Sequence, residues 1–162
     1  MFNKLNILFL IRRIKLDNFK NIKVFTNINN SSKKNILKYS QIRRCKKGEH
    51  LFLDRDKVDN IYFIIDGIAS LYKLNISQDK KVIFIYGKGE ILNEVILQKN
   101  MTSLNCELLS DCEILEIPAT KLLEVMSCDF QLCKNIIDSM AFKIRRLYHQ
   151  LKNTSNSIRL DK

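Results

Sequence analysis

Residues 46–74 read KKGEHLFLDRDKVDNIYFIIDGIASLYKL, and this stretch decides the fold. It holds three short runs of apolar, β-branched and aromatic residues, separated by turn-forming clusters. In the middle run, Ile61, Phe63 and Ile65 fall on one face of a strand. Tyr62 and Ile64 fall on the other face. Because both faces are partly apolar, the run predicts a central strand of a sheet.

The same texture continues on both sides of this stretch, from Tyr39 to Pro118. The apolar runs are SQIRRC, HLFL, NIYFIID, IASLYKL, KVIFIY, SLNCELL and CEILEI. The breaks between them are rich in Gly, Asp, Asn, Ser and Lys, as turns are. Seven or eight short strands at nearly regular spacing predict a mainly β protein, either a sandwich, a jelly roll or a small barrel.

Helical patterns flank the strands. Residues 15–38 have apolar residues at irregular helical spacing, interrupted by NINNSS, and predict two short helices. After the strands, Pro118 suits the start of the short helix ATKLLEVM, and Asp129 can cap a longer helix that follows. Residues 1–18 are interpreted as an N-terminal extension. Their apolar run is far shorter than the roughly 20 residues of a membrane span and is followed by no small-residue cleavage site, so we expect neither an anchor nor a signal peptide.

The long C-terminal helix carries an apolar seam with alternating spacings of four and three residues. This spacing is typical of a coiled coil and predicts a homodimer, whereas a helix that packs only on its own sheet has a broader stripe. That second arrangement stays as the alternative. We expect Phe130, Ile136 and Phe142 to contact the barrel from the flank of the helix, and Lys143 to Arg146 to form a solvated flank. The seam includes Cys133 and Thr154, and the predicted dimer interface consists of Ile137, Met140, Ile144, Leu147, Leu151 and Ile158.

Composition narrows the class of protein. The chain has 162 residues, enough for one domain or one domain plus an appendage, and its 46% hydrophobic content is that of a globular protein. A net charge of +11 would suit nucleic acid or an anionic membrane. The lysines, however, are scattered among Ile and Asn residues, which favours a merely solvated basic surface. We expect no membrane partner.

The five cysteines form no C-x-x-C pair, which argues against a disulfide framework and against clustered metal ligands. This pattern predicts a reducing, cytoplasmic compartment. Cys106 and Cys112 flank the Ser110-Asp111 turn and could approach disulfide distance; buried small hydrophobic residues are the alternative role.

An enzymatic role is not expected. Metal-dependent jelly-roll enzymes build their sites from about three histidines and a carboxylate, since such metal ions need several converging ligands. This chain has only His50 and His149, and His149 lies on the long helix. There is no G-x-S-x-G motif. We therefore predict no catalytic residues, no metal site and no cofactor, with an unidentified small-molecule effector left open.

The order of these elements resembles the sensor half of the Crp/Fnr family of bacterial transcription regulators, from Phe19 to the end of the chain. Gly67 matches the family's hairpin glycine, which needs a positive φ. Arg55 stands where the family usually has a turn glycine, so we expect that turn to have changed type. The other residues of the 46–74 stretch that match the family's pattern are Gly48, Glu49, Phe52, Asp56, Ile61, Tyr62 and Ile64.

The resemblance implies a phosphate-binding cassette, formed by a Gly-Glu pair on a short helix and a later Arg-Ser/Thr-Ala. In the family, helix N–H groups and the arginine hold a cyclic phosphate, and the glutamate takes a ribose hydroxyl. Gly89 and Glu90 match the pair, while Thr102 and Ser103 stand at the Arg-Ser position. These four residues are the candidate ligand site. Because Thr102 replaces the arginine and Lys99 is the only cation near in sequence, we expect an effector other than cyclic AMP.

The resemblance also implies the organisation of the chain: an extension (1–18), a cyclic-nucleotide-binding-like jelly roll (19–127), and a dimerisation helix and hinge (128–162). The family's DNA-reading helix-turn-helix is expected to be absent, so DNA would be contacted only through a domain not present in this chain. The expected function is the effector-sensing and dimerisation part of a Crp/Fnr-type regulator. The alternative is a stand-alone small-molecule-binding or protein-interaction module of the same fold.

Overall fold

Seven short strands form where the apolar runs predict them. The computed structural model describes residues 19–158, with side chains as far as residue 152, so the extension 1–18 and the side chains of Thr154 and Ile158 lie outside the described part. The strands are β1 Gln41–Cys45, β2 His50–Phe52, β3 Asn60–Asp66, β4 Ala69–Leu74, β5 Lys80–Tyr86, β6 Asn105–Leu108 and β7 Cys112–Pro118.

The strands pair antiparallel into two sheets, with orders β1-β7-β3 and β2-β6-β4-β5. One apolar cluster lies between the sheets and includes Ile64, Leu71 and Leu108. A second cluster covers the other side of the three-stranded sheet, where Ile61 and Phe63 pack against the helices. The predicted alternation of the two faces and the jelly-roll class are therefore confirmed.

The position of β3 differs from the prediction of a central strand. It lies at the end of its sheet, beside β7 alone. Its outer edge is nevertheless hydrogen-bonded, because Gly89 N–H donates to Ile64 O at 2.7 Å and Leu92 N–H donates to Tyr62 O at 2.9 Å. An irregular segment thus satisfies this edge in place of a strand, and burial on both faces alone does not distinguish the two cases.

Two turns test the positive-φ predictions. Gly67 has φ +100°, as expected, and an added Cβ there would lie 2.4 Å from Cys112 Sγ. Arg55 has φ +70°, so the expectation that its turn has changed type is wrong. The Arg55 N–H donates to Thr102 O at 3.1 Å, and Asp56 Oδ2 accepts from Leu53 N–H at 2.7 Å. These bonds hold the left-handed conformation against its local cost.

Helices precede and follow the strands along the chain. A 3₁₀ turn (Lys23–Phe25) and helix α1 (Asn30–Tyr39) stand where two short helices were predicted, and a second 3₁₀ turn follows β5 (Glu94–Leu97). Helix α2 (Ala119–Met126) begins after Pro118, and α3 runs from Phe130 to Ile158. No helix within the described residues is long and apolar enough to cross a membrane.

Asp129 caps α3, as predicted, and also ties it to the start of α1. Its Oδ1 accepts from Leu132 N–H at 3.2 Å and its Oδ2 from Asn29 N–H at 3.0 Å. Burial by itself raises the pKa of Asp129, but hydrogen bonds from Ser32 and from these backbone N–H groups outweigh it, so the net pKa is lowered. The charged carboxylate therefore stabilises the junction between the two helices.

We expect Asp129→Asn to lower the free energy of unfolding by about 1 kcal/mol at neutral pH, since an amide offers one acceptor to two N–H groups. The folded-state pKa is below the ordinary 3.8, so this stability exists above that value and is lost as the pH falls through the lowered pKa. Urea unfolding across that range should show the deficit narrowing at acid pH. Asp138→Asn, at an exposed site on α3, is the control. A deficit independent of pH would contradict this role.

The two faces of α3 differ in burial. Leu132 and Ile136 are fully buried against the jelly roll and the N-terminal segment, which confirms the flank contact predicted for Ile136. Phe130 and Phe142 are exposed at 81% and 58%, so neither is buried against the barrel as Ile136 is. The described residues of the predicted seam all keep accessible surface in the single chain: Ile137, Met140, Ile144, Leu147 and Leu151.

Candidate ligand-binding site

A cavity of about 360 Å³ lies between the four-stranded sheet, the second 3₁₀ turn and α3. The strands contribute side chains that are themselves buried, and α3 closes one side with residues of the predicted seam. Pockets of this size hold drug-sized ligands in many proteins. The apolar lining residues are Phe52, Leu71, Ile83, Phe84, Tyr86, Leu92, Val95, Leu104, Met140, Ile144 and Leu147.

Two of the four predicted site residues line this cavity, Thr102 and Ser103. Thr102 is buried, and its hydroxyl donates to Leu53 O and lies 3.3 Å from Asp56 O. Its N–H donates to Asp56 O at 3.0 Å. Thr102 therefore fastens its loop to the turn after β2, so its polar groups are already engaged.

The other two, Gly89 and Glu90, lie elsewhere. Gly89 has φ +86°, and an added Cβ would approach Asn21 O to 2.3 Å. Glu90 pairs with Lys23, and both Gly89 and Glu90 border a separate groove that Phe142 also lines. The reason is the backbone path, because residues 89–92 run along the edge of β3 and the chain reaches the cavity only at Leu92. The structure therefore does not bring the four residues together.

Glu94, which the sequence reasoning missed, takes the acidic position at this cavity. It begins the second 3₁₀ turn, and its side chain is almost fully buried. Asn93 precedes it, and the Asn93 amide is held by Tyr62 N–H and Asn60 O, both at 2.9 Å. A carboxylate inside the apolar run ILNEVIL was the available signal, since a buried charge needs a partner.

The partner is Lys143, on α3. Its Nζ lies 2.6 Å from each carboxylate oxygen of Glu94, and it donates to Ile91 O at 2.6 Å. The Lys143 side chain is only 12% exposed, so its assignment to a solvated flank was wrong. Burial lowers the pKa of Lys143, and the adjacent carboxylate of Glu94 opposes that shift. This ion pair joins the 3₁₀ turn directly to the long helix.

Aromatic rings extend the contact between α3 and the sheet. Lys143 Nζ lies 4.6 Å from the centroid of the Tyr86 ring, and the Arg146 guanidinium lies 5.2 Å from that of Phe84. Both distances are within the range of cation–π attraction. The Tyr86 hydroxyl is buried and has no hydrogen-bond partner among the described residues. Burial, with Glu94 nearby, raises the pKa of Tyr86, so the phenol stays neutral.

The remaining candidate residues have structural surroundings. Cys106 and Cys112 are free and buried between the sheets, and burial raises the pKa of the Cys106 thiol to about 12, which keeps it protonated. His50 Nε2 lies 3.0 Å from the Tyr72 hydroxyl. Over the described part of the chain, no group of three or more His, Cys, Asp or Glu residues is placed to hold a metal ion.

The comparison with protein families decides the assignment. The model of the cyclic nucleotide-binding domain matches residues 42–129, more than half of the chain. The chain belongs to this family. The match runs from β1 to the cap of α3, so it includes the 3₁₀ turn with Glu94 and the loop with Thr102. No curated protein matches the sequence.

Solved structures of the same fold include a transcription activator and a kinase regulatory subunit. The catabolite activator protein of Thermus thermophilus is 19% identical, with a TM-score of 0.71 over 82% of this chain and 63% of that protein. The regulatory subunit of a cAMP-independent protein kinase A from Trypanosoma brucei is 12% identical, with a TM-score of 0.73 over 89% of this chain and 52% of that one. The chain thus spans less than two thirds of either protein.

A third solved structure is matched over nearly its whole length. The N-terminal domain of a transcriptional regulator from Streptomyces coelicolor A3(2) is 13% identical, with a TM-score of 0.61. The match covers 87% of this chain and 94% of that domain. At these identities the similarity establishes the fold alone.

Proposed function

We propose that this chain is the effector-sensing and dimerisation part of a Crp/Fnr-type transcription regulator, and that its effector is not a cyclic nucleotide. The observation that carries the proposal is the polar side of the cavity. Lys143 is the one cation among the described lining residues, and its charge is taken up by Glu94. A cyclic phosphate would enter beside a carboxylate without a cation of its own, which is unfavourable in a buried site.

The link between cavity and helix supports a sensing role. Met140, Ile144 and Leu147 belong both to the cavity wall and to the predicted dimer seam. An effector that fits the cavity in only one arrangement of α3 would shift the population toward that arrangement. In a regulator this change would reach a DNA-reading domain through α3. The proposal makes the chain a non-enzymatic, cytoplasmic protein whose contact with DNA depends on a helix-turn-helix.

The trypanosomal neighbour supports the assignment of Thr102. That kinase subunit is described as cAMP-independent, and a variant with three substitutions, one of them threonine to arginine, is bound to cyclic AMP. A domain of this fold from a cAMP-independent protein thus holds cyclic AMP when a few side chains are changed. Thr102 in this chain offers a hydroxyl that is already engaged, where an arginine would supply a planar fork with a positive charge.

Calorimetric titration with cyclic AMP and cyclic GMP tests the proposal. We expect no saturable binding by the wild type at millimolar nucleotide, and a gain of cyclic AMP binding in Thr102→Arg, since the arginine adds a charge-assisted fork. Thr102→Val, which keeps the shape and loses the hydroxyl, is the control for damage to the loop. Saturable binding of either nucleotide by the wild type would contradict the proposal.

The alternative, a stand-alone small-molecule-binding or protein-interaction module, shares the cavity and the fold. The kinase regulatory subunit favours it, because a similar domain there belongs to a protein that is not a transcription regulator. The two functions differ in what α3 connects to. A regulator is expected to continue into a DNA-binding domain, and sequencing the transcript of the gene beyond the codon of Lys162 distinguishes them.

A further inference from the structure

We propose that the cavity between the jelly roll and α3 binds an uncharged, largely apolar molecule with the bulk of a small aromatic or hydrocarbon compound. The inference rests on the proposed function, because it names the class of effector for that same site. It goes further in excluding anions as a class, and it assigns binding to the walls of the cavity and not to a phosphate cradle.

The lining of the cavity favours an apolar ligand. The surface that lines the cavity is almost all apolar, although five of the sixteen lining residues are polar or charged, and the strand side chains Phe52, Leu71 and Phe84 are at most 6% exposed. An unfilled space of about 360 Å³ leaves such side chains without contacts on one side. An apolar recess of this kind favours apolar molecules over water, because a water molecule needs two or more polar partners. An apolar ligand is therefore the occupant that fits.

Three of the polar groups at the rim have partners within the protein, while the Tyr86 hydroxyl has none among the described residues. Thr102 donates to Leu53 O, the Asn93 amide is held by Tyr62 N–H and Asn60 O, and Glu94 is bound by Lys143. A polar ligand would have to break these bonds to gain its own, with little net benefit. An anion would in addition face the Glu94 carboxylate. The rim thus selects against charge, while the walls select for apolar bulk.

The position of α3 allows a ligand in the cavity to contact the long helix directly. Ile144 and Leu147 line the cavity at 46% and 37% exposure, so they can contact a molecule inside it and a second helix outside it. Continuity between cavity wall and seam means that an apolar ligand adds contacts to the inner side of α3. A side chain of a second copy is the rival occupant, because the same seam would face that copy.

The test uses N-phenyl-1-naphthylamine, an uncharged probe that fluoresces in apolar surroundings, titrated into the intact chain. We expect saturable binding of one probe per chain, with no displacement by millimolar cyclic AMP. Leu104→Trp fills the cavity and should weaken binding by at least about tenfold. Leu109→Trp is the matched control, because Leu109 is exposed and does not line the cavity. Ile83→Trp obstructs the cavity from β5 in case Leu104→Trp unfolds, which thermal unfolding detects.

The outcomes separate the inference from the proposed function when sedimentation and a cyclic AMP titration are run on the same samples. A dimer that binds neither the probe nor cyclic AMP overturns the inference and leaves the proposed function standing. Equal binding by Leu104→Trp and Leu109→Trp also overturns it, because the probe is then on the surface. If a monomeric variant binds the probe and the dimeric wild type does not, side chains of the second copy fill the cavity, and the inference is overturned. Saturable cyclic AMP binding overturns the proposed function.

Discussion

Lys143→Met is expected to lower the free energy of unfolding by about 3 kcal/mol, one of the two largest effects we foresee for this chain. The substitution keeps the length and apolar stem of the side chain but removes the ammonium. Glu94 would then hold a carboxylate in a site where its side chain is 5% exposed, and Ile91 O would lose its donor. An uncompensated buried charge costs far more than the net value of the pair itself.

Lys134→Met provides the matched control for this experiment. Lys134 lies on the same helix and pairs with Asp138, but both side chains are more than half exposed. Solvent screens such a pair, so this substitution should change stability by less than about 0.5 kcal/mol. Urea unfolding at one protein concentration gives both values, since the stability of a dimer depends on concentration. Equal effects at the two positions would mean that Lys143 is a surface residue.

A second variant separates the effect of the unpaired Glu94 carboxylate from the effect of the other lost Lys143 contacts. Combining Lys143→Met with Glu94→Gln removes both charges and leaves an uncharged amide in the same place. We expect the double variant to recover at least half of the lost stability, because the cost of burying an unpaired carboxylate disappears. A double variant as unstable as Lys143→Met would assign the loss to the other contacts of the Lys143 ammonium, with Ile91 O and with the Tyr86 ring.

The strands were predictable from the sequence because their signals are local. Six of the seven runs contain β-branched or aromatic residues, the exception being SLNCELL, and all seven runs, bounded by turn formers, form strands. The caps at Pro118 and Asp129 and the glycine turn at Gly67 are local too, and each is found where it was expected. Alternation along β3 also gave the correct pair of faces.

Contacts between distant segments account for what the sequence did not reveal. Arg55 keeps a positive φ because Thr102, far along the chain, supplies a hydrogen bond that outweighs the local preference. The edge of β3 is covered by an irregular segment, which has no strand pattern to recognise. The seam pattern on α3 identified an apolar face but not the residues beside it that meet the jelly roll. Lys143 was therefore placed in solvent, although it is buried.

The local sequence also did not reveal which glutamate lies at the cavity. Gly89-Glu90 and Asn93-Glu94 lie four residues apart, and Gly89-Glu90 has the letters of the family's motif. Only the backbone path decides which glutamate reaches the cavity, because residues 89–92 pair with β3 before the 3₁₀ turn begins. A motif of two residues is too short to fix that register, whereas the buried position of Glu94 follows directly from the fold.

Ile137→Asp combined with Leu151→Asp is expected to convert a dimer into a monomer, the second large effect. Both side chains are at least 60% exposed in the single chain, and neither lines the cavity. In a coiled-coil seam each would pack into the facing helix, where a carboxylate would lose its water without gaining a partner. Two such charges per chain, four per dimer, should weaken association by at least about a hundredfold.

The choice of these two positions follows from the structure. The seam also contains Ile144 and Leu147, but charges there would enter the cavity wall and damage ligand binding as well as association. Leu74→Asp combined with Leu123→Asp is the control, since both leucines are exposed, at 47% and 42%, and lie off α3. The control should leave the oligomeric state unchanged, which shows that added negative charge alone does not dissociate the protein.

Sedimentation equilibrium measures the outcome against the chain mass of 19.1 kDa. The wild type and the Leu74/Leu123 control should sediment at twice that mass, and the Ile137/Leu151 variant at the chain mass itself. The jelly roll of this variant should keep its thermal transition, because Leu132 and Ile136 still anchor α3 to the core through fully buried contacts. A wild type that is monomeric at every protein concentration would contradict the homodimer. The exposed seam of α3 would then be expected to bind a different protein.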